Sequence, residues 1–106
     1  MYFLGDCKTV NKTGLINLPK KWRKKLGFEN GELVEVLLKD RSIWIRHCCN
    51  KQTEEQRYIS EKGNVNIPAE FRKILDIGTN TDLCLYVECS HKAFIIKPDE
   101  YPSDHQ

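Results

Sequence analysis

The chain of 106 residues predicts a mainly β fold with short helices, assembled from two tandem β-β-α-β-β repeats. Three observations predict it. The first is that Gly14 to Gly27 (GLINLPKKWRKKLG) returns as Gly63 to Asp76 (GNVNIPAEFRKILD), at a constant offset of 49 positions. Gly14, Asn17, Pro19, Arg23, Lys24 and Leu26 meet Gly63, Asn66, Pro68, Arg72, Lys73 and Leu75; Ile16, Leu18 and Trp22 meet Val65, Ile67 and Phe71. Six identities, where chance gives about one, mark an internal repeat. The second is a period-two alternation after each copy, with Val34, Val36 and Leu38 answered by Leu83, Leu85 and Val87. The third is size. One repeat of about 40 residues is too small to hold a core alone, so the halves pack on each other or on another chain.

Residues 1–6 read as a lead-in and Lys8 to Asn11 as a first strand anchored by Val10. Asn11 to Gly14 is a turn, and Leu15 to Leu18 a second strand. Leu18 precedes a proline, which biases it to extended backbone. Pro19 suits the first helical position, where a missing N–H costs nothing. Trp22 and Leu26, four apart, share the face that turns to the core. Lys20, Lys21, Arg23, Lys24 and Lys25 fill the rest of the helix with no acid among them. Like charges at this spacing repel, so the helix is poorly built for its own stability and well suited to an anion. Gly27 closes it. Glu29 to Gly31 turns the chain, Glu32 to Lys39 alternates as a third strand, Asp40 to Ser42 turns it again, and Ile43 to His47 returns.

Cys49 to Gln56 (CNKQTEEQ) shows no apolar period and reads as a linker whose eight residues span at most about 26–29 Å. The plan then repeats. Arg57 to Ser60 and Asn64 to Ile67 are strands, and Pro68 to Leu75 is a helix with Phe71 and Leu75 inward. Asp76 replaces the capping glycine. Asp82 to Glu88 is a strand, Cys89 to Ala93 a turn two residues longer than its counterpart, and Phe94 to Lys97 the return. The organisation is a first repeat over residues 1–48, a linker over 49–56, a second repeat over 57–98 and an acidic tail over 99–106.

The formal net charge of +2 hides an asymmetry. Residues 8–48 carry +6, residues 57–98 carry +1, and the flanks and linker carry −5. A basic half suggests a polyanion partner; a solvated surface helix is the other reading of the same charges. The five cysteines are odd in number, and the opening MYFLGDCK lacks a charged n-region and a long apolar run. No stretch approaches the roughly 20 apolar residues of a membrane span. The expectation is a cytoplasmic protein with reduced thiols.

The strand–Gly turn–strand, the motif Leu/Ile-Pro-x-x-aromatic-Arg-Lys-x-Leu and the alternating hairpin resemble the AbrB/SpoVT family of small prokaryotic transcription factors. The resemblance covers about 40 residues twice, nearly the whole chain. It implies a swapped-hairpin β-barrel, here closed within one chain by its two copies. The related tandem MraZ pattern, Asp-x-x-x-Arg, is absent, since the positions read Asn11…Leu15 and Ser60…Asn64.

The resemblance further implies contact with double-stranded DNA through the first strand, the turn and the short helix of each copy. On this sequence that means Lys8, Arg23 and Lys24, and Arg57, Arg72 and Lys73, with Lys12 and Lys62 added as lysines near the turn glycines that stand in for a missing arginine. The arginine that often follows the turn glycine in the family is replaced by Leu15 and Asn64. Lysines neutralise phosphates, and an arginine forks onto a guanine edge, which singles out Arg23 and Arg72 for base readout. The larger charge of the first copy predicts that it dominates phosphate contact.

The implied function is a transcriptional regulator, a repressor, that needs no cofactor and no small-molecule substrate, with self-association left open. Two alternatives remain. MazE-like antitoxins share the fold, although they usually carry a longer toxin-wrapping tail than the eight residues after Pro98. A metal- or redox-responsive regulator is suggested by His47-Cys48-Cys49, with Cys7 a candidate neighbour, and by Cys89 with His91. No C-x-x-C spacing supports metal, and packing or exposed thiols are the plainer reading. No glycine-rich phosphate loop or nucleophile elbow is present, and His47, His91 and His105 have no evident orienting partners, so catalysis is not expected.

Overall fold

The computed structural model describes residues 2–9, 14–48, 55–78 and 81–98; of residues 6, 8 and 9 it describes the backbone alone. The elements in order are β1 (Tyr2–Thr9), β2 (Leu15–Asn17), α1 (Lys20–Leu26), β3 (Leu33–Lys39), β4 (Ser42–His47), β5 (Gln56–Tyr58), β6 (Asn64–Asn66), α2 (Ala69–Ile74), β7 (Asp82–Glu88) and β8 (Ala93–Pro98). A single 3-10 turn, Cys89–His91, joins the last two. The fold is mainly β with short helices, as the sequence predicts.

Among the described residues six strands form one antiparallel sheet in the order β1-β7-β8-β4-β3-β5, and β2 pairs with β6. The two hairpins, β3–β4 and β7–β8, are local. Every other pairing joins the first half of the chain to the second: β1 with β7, β5 with β3, β4 with β8 and β2 with β6. The expectation of a closed barrel is corrected here, because β1 and β5 remain the edges of the sheet. The short strands β2 and β6 form a separate two-stranded sheet, and each runs through a proline, Pro19 or Pro68, into a helix instead of bridging those edges.

The halves exchange bonds reciprocally. The Leu18 N–H donates to the Gly63 carbonyl at 2.9 Å, and the Ile67 N–H donates to the Gly14 carbonyl at 2.8 Å. These two bonds are related by the same offset of 49 residues as the sequence repeat. Leu18 and Ile67 are both fully buried beside them.

One face of the sheet carries the main core. Val34, Val36, Ile43, Ile45, Leu83, Leu85, Val87, Phe94 and Ile96 meet Leu18, Leu26, Phe28, Ile67 and Leu75 there. The alternation of β3 is as predicted, except that Leu38 is only partly buried. Trp22 and Phe71 pack against the cluster from its margin, which gives them the core-side role expected of their spacing to Leu26 and Leu75. The Trp22 ring also meets Tyr2, with centroids 5.5 Å apart.

The first strand differs from expectation. It covers Tyr2–Thr9, not Lys8 to Asn11, because β7 offers pairing partners as far back as Tyr2, opposite Val87. Val10, expected as its anchor, lies outside the described residues. The other boundaries shift by one or two residues.

The two helices end alike through different residues. The Phe28 N–H returns to Arg23 O at 2.8 Å past Gly27, and the Ile77 N–H returns to Arg72 O at 2.7 Å past Asp76. Both Gly27 (φ 81°) and Asp76 (φ 57°) are left-handed, a region that Asp tolerates better than most side chains. A Cβ at Gly27 meets nothing closer than the His47 ring, at 3.9 Å. Gly27→Ala is therefore expected to cost about 1–2 kcal/mol from backbone conformation alone, read from urea unfolding.

His47 ties the end of α1 to the sheet. Its ring stacks on Phe28 with centroids 3.9 Å apart, Nδ1 faces Glu32 Oε2 at 2.5 Å, and Nε2 faces Leu26 O at 2.8 Å. Both ring nitrogens thus face acceptors within the protein. Among the described residues no group of three or more His, Cys, Asp and Glu side chains is arranged to hold a metal. Cys49 lies outside them.

The expectation of reduced thiols is also corrected. Cys7 and Cys84 face each other across β1 and β7 and are joined as a disulfide. Strand pairing brings together two cysteines whose separation of 77 residues hides the link in the sequence. Cys48 accepts a bond from the Gln56 side chain at 3.0 Å, and Cys89 is exposed. Among the described residues no helix is long and apolar enough to cross a membrane.

Candidate nucleic-acid interface

The basic helix α1 and the turn before β6 come together although they are some 40 residues apart in sequence. Lys20, Arg23 and Lys24 from the helix and Lys62 from the turn line one open groove of about 750 Å³, with Phe28, Asn30 and the acids Glu29 and Glu61. Four cations against two acids leave the groove positive. Lys20, Lys24 and Lys62 are exposed.

Arg23 stands apart from those lysines. It is 9% exposed, donates from Nε to Leu18 O at 2.8 Å, and donates from a terminal nitrogen to Asn30 Oδ1 at 2.7 Å. Its guanidinium lies under Gly63, so close that an added Cβ there would sit 2.5 Å from it. The reciprocal arrangement holds for Arg72. Its Nε donates to Ile67 O at 3.2 Å, and a Cβ on Gly14 would approach its guanidinium to 2.8 Å. The arginine and glycine that repeat in the sequence are therefore partners across the two halves.

Two asparagines complete the scaffold of the groove. Asn17 Nδ2 donates to Lys62 O at 2.8 Å and to Asn64 Oδ1 at 2.9 Å. Asn30 Nδ2 donates to Glu61 O at 2.9 Å. The turn at residues 60–64 is closed further by Gly63 N–H to Ser60 O and by Asn64 N–H to Ser60 Oγ. The backbone that carries Lys62 is thus fixed to α1 through Arg23, Asn30 and Asn17.

The remaining expected residues are spread more widely. Lys73 is exposed on α2 beside Arg72. Arg57, on edge strand β5, pairs with Glu55 at 3.2 Å and donates to Gln56 O at 2.8 Å. The Lys8 backbone sits opposite Leu83 on edge strand β1, and its side chain lies outside the described residues. Lys12 lies outside them as well. The structure therefore gathers Arg23, Lys24 and Lys62 and places Arg57 elsewhere.

The sequence reading missed Lys20, Asn17 and Asn30 as parts of this site. Lys20 had a usable signal, since it lies four residues before Lys24 on one helix face. Asn17 had one too, as it is among the identities of the repeat. Asn30 carried none.

Comparison with known proteins adds one finding. Residues 8–47 match the family described as antidote-toxin recognition MazE, bacterial antitoxin. No curated protein matches the chain. No solved structure matches it. The matched stretch contains β2, α1, β3 and β4, so this part of the chain is similar to an AbrB/MazE-type domain.

Proposed function

We propose that the protein is a double-stranded DNA-binding transcriptional regulator, a repressor of the AbrB/SpoVT type, acting as a binding protein and not as an enzyme. Its two copies, residues 1–48 and 57–98, make one swapped-hairpin unit within a single chain, with 49–56 as linker and 99–106 as tail. The observation that carries the reading is the positive groove, to which one half contributes Lys20 and Lys24 and the other Lys62. A duplex presents closely spaced phosphates, and exposed lysines on two fixed elements can neutralise several at once. Arg23, Arg72, Lys73, Arg57, Lys8 and Lys12 belong to the same proposal in different roles. Arg23 and Arg72 hold the turns in place, and the lysines contact phosphate. Arg57, Lys8 and Lys12 extend the contact along the backbone.

A gel-shift titration against duplex DNA over a range of salt concentrations tests this. Replacing Lys20, Lys24 and Lys62 together by Gln is expected to make the salt slope shallower by about 2.7 and to weaken binding about 10²–10³-fold at 0.1 M salt. Lys73→Gln alone is expected to cost about tenfold or less. An unchanged slope in the triple variant, or no binding by the wild type at low salt, would overturn the reading. Selection from random duplexes would then give the operator.

The match at residues 8–47 favours a second reading, an antitoxin-like module that neutralises a toxin and regulates its own synthesis. Co-purification of a toxin in stable complex with the chain is its test.

A further inference from the structure

The face of the sheet opposite the main core carries a second, smaller apolar layer. Register places Leu37 opposite Trp44, Trp44 opposite Ile95, Ile95 opposite Tyr86 and Tyr86 opposite Phe3, one residue from each of five neighbouring strands. Ile95 is fully buried yet does not belong to the main cluster, while Phe3 is 46% exposed. Trp44 and Leu37 form part of a groove of about 420 Å³ whose rim includes Lys39, Arg46 and His91.

The charges around this row are mostly positive. The Lys39 ammonium lies 5.1 Å from the centre of the Trp44 ring, and that of Lys97 5.2 Å from the Tyr86 ring. The His91 ring meets Trp44 edge-on at 6.1 Å. Two of the acids on these strands are engaged within the protein. Glu35 is fully buried and receives Arg46 Nε at 2.7 Å, and Glu88 accepts the Ser90 hydroxyl at 2.7 Å. An apolar floor ringed by cations is the complement of carboxylates flanking an aromatic or large apolar side chain. A second copy of this face would set Lys39 and Lys97 against like charges, and duplex DNA offers phosphates without an apolar group to cover Trp44.

We propose that the Trp44 groove is a docking site for an acidic protein segment bearing an aromatic residue, distinct from the DNA groove. Specificity comes from the floor and steering from Lys39 and Lys97.

Calorimetric titration with a random copolymer of glutamate and tyrosine, alongside polyglutamate of equal length, tests it. The copolymer is expected to bind at least about tenfold more tightly than polyglutamate. Lys39→Glu and Trp44→Ala are each expected to weaken it about tenfold or more, with circular dichroism and duplex binding retained. Copolymer binding unchanged in both variants, absent in the wild type or displaced by duplex DNA would overturn the proposal. So would concentration-dependent self-association abolished by Lys39→Glu, which would make a second copy the occupant.

Discussion

Gly63→Ala is expected to destabilise the protein by about 3–5 kcal/mol, far more than the chemically identical change at Gly27. Both glycines are left-handed, with φ of 84° and 81°, so each alanine carries the same backbone penalty of about 1–2 kcal/mol. At Gly63 the new methyl also meets the Arg23 guanidinium at 2.5 Å. The guanidinium must move, and in moving it gives up Leu18 O and Asn30, charge-assisted bonds whose loss costs about 1.5–3 kcal/mol. Arg23→Ala removes the collision together with those bonds. The double variant is therefore expected to be markedly less unstable than the sum of the two single ones, a coupling that urea unfolding can measure. Strict additivity would show that the arginine does not occupy this position.

Reduction of the Cys7–Cys84 disulfide is expected to lower stability by about 4 kcal/mol. The bond closes a loop spanning 77 residues, and chain-entropy estimates give that magnitude for loops of this length. The bond also fixes β1, an edge strand paired on one side only, to β7. Denaturant unfolding with and without dithiothreitol is the measurement, with the Cys7→Ser/Cys84→Ser variant as the control that no longer responds. A wild-type midpoint that does not move on reduction would show that β1 is held by its pairing alone.

Much of the architecture was legible in local patterns. The prolines at 19 and 68 and the aromatic–leucine spacing behind them located both helices, and alternation located the hairpins. Three features stayed hidden for physical reasons. Tyr2 to Lys8 shows no steady alternation, and its strand exists because β7 supplies a ladder from the far end of the chain. The disulfide depends on that same pairing. Arg23 and Arg72 were singled out for base readout because local sequence shows a charge and not its destination; each lies instead under a glycine of the other half. The groove was legible in part. Lys24 was nameable from the motif and Lys62 only from its place beside the turn glycine, and their meeting depends on Asn17 and Asn30, whose bonds cross 31 to 47 residues.

The interleaving of strands has a consequence during synthesis. When the ribosome has delivered only the first half, β1, β2 and β3 still await β7, β6 and β5, and only the β3–β4 hairpin can form. Cooperative folding therefore waits until β7 and β8 have emerged, and such long-range closure is slow. In a polysome, an early half can also meet the later half of a neighbouring nascent chain, so crowding during translation raises the share of exchanged dimers.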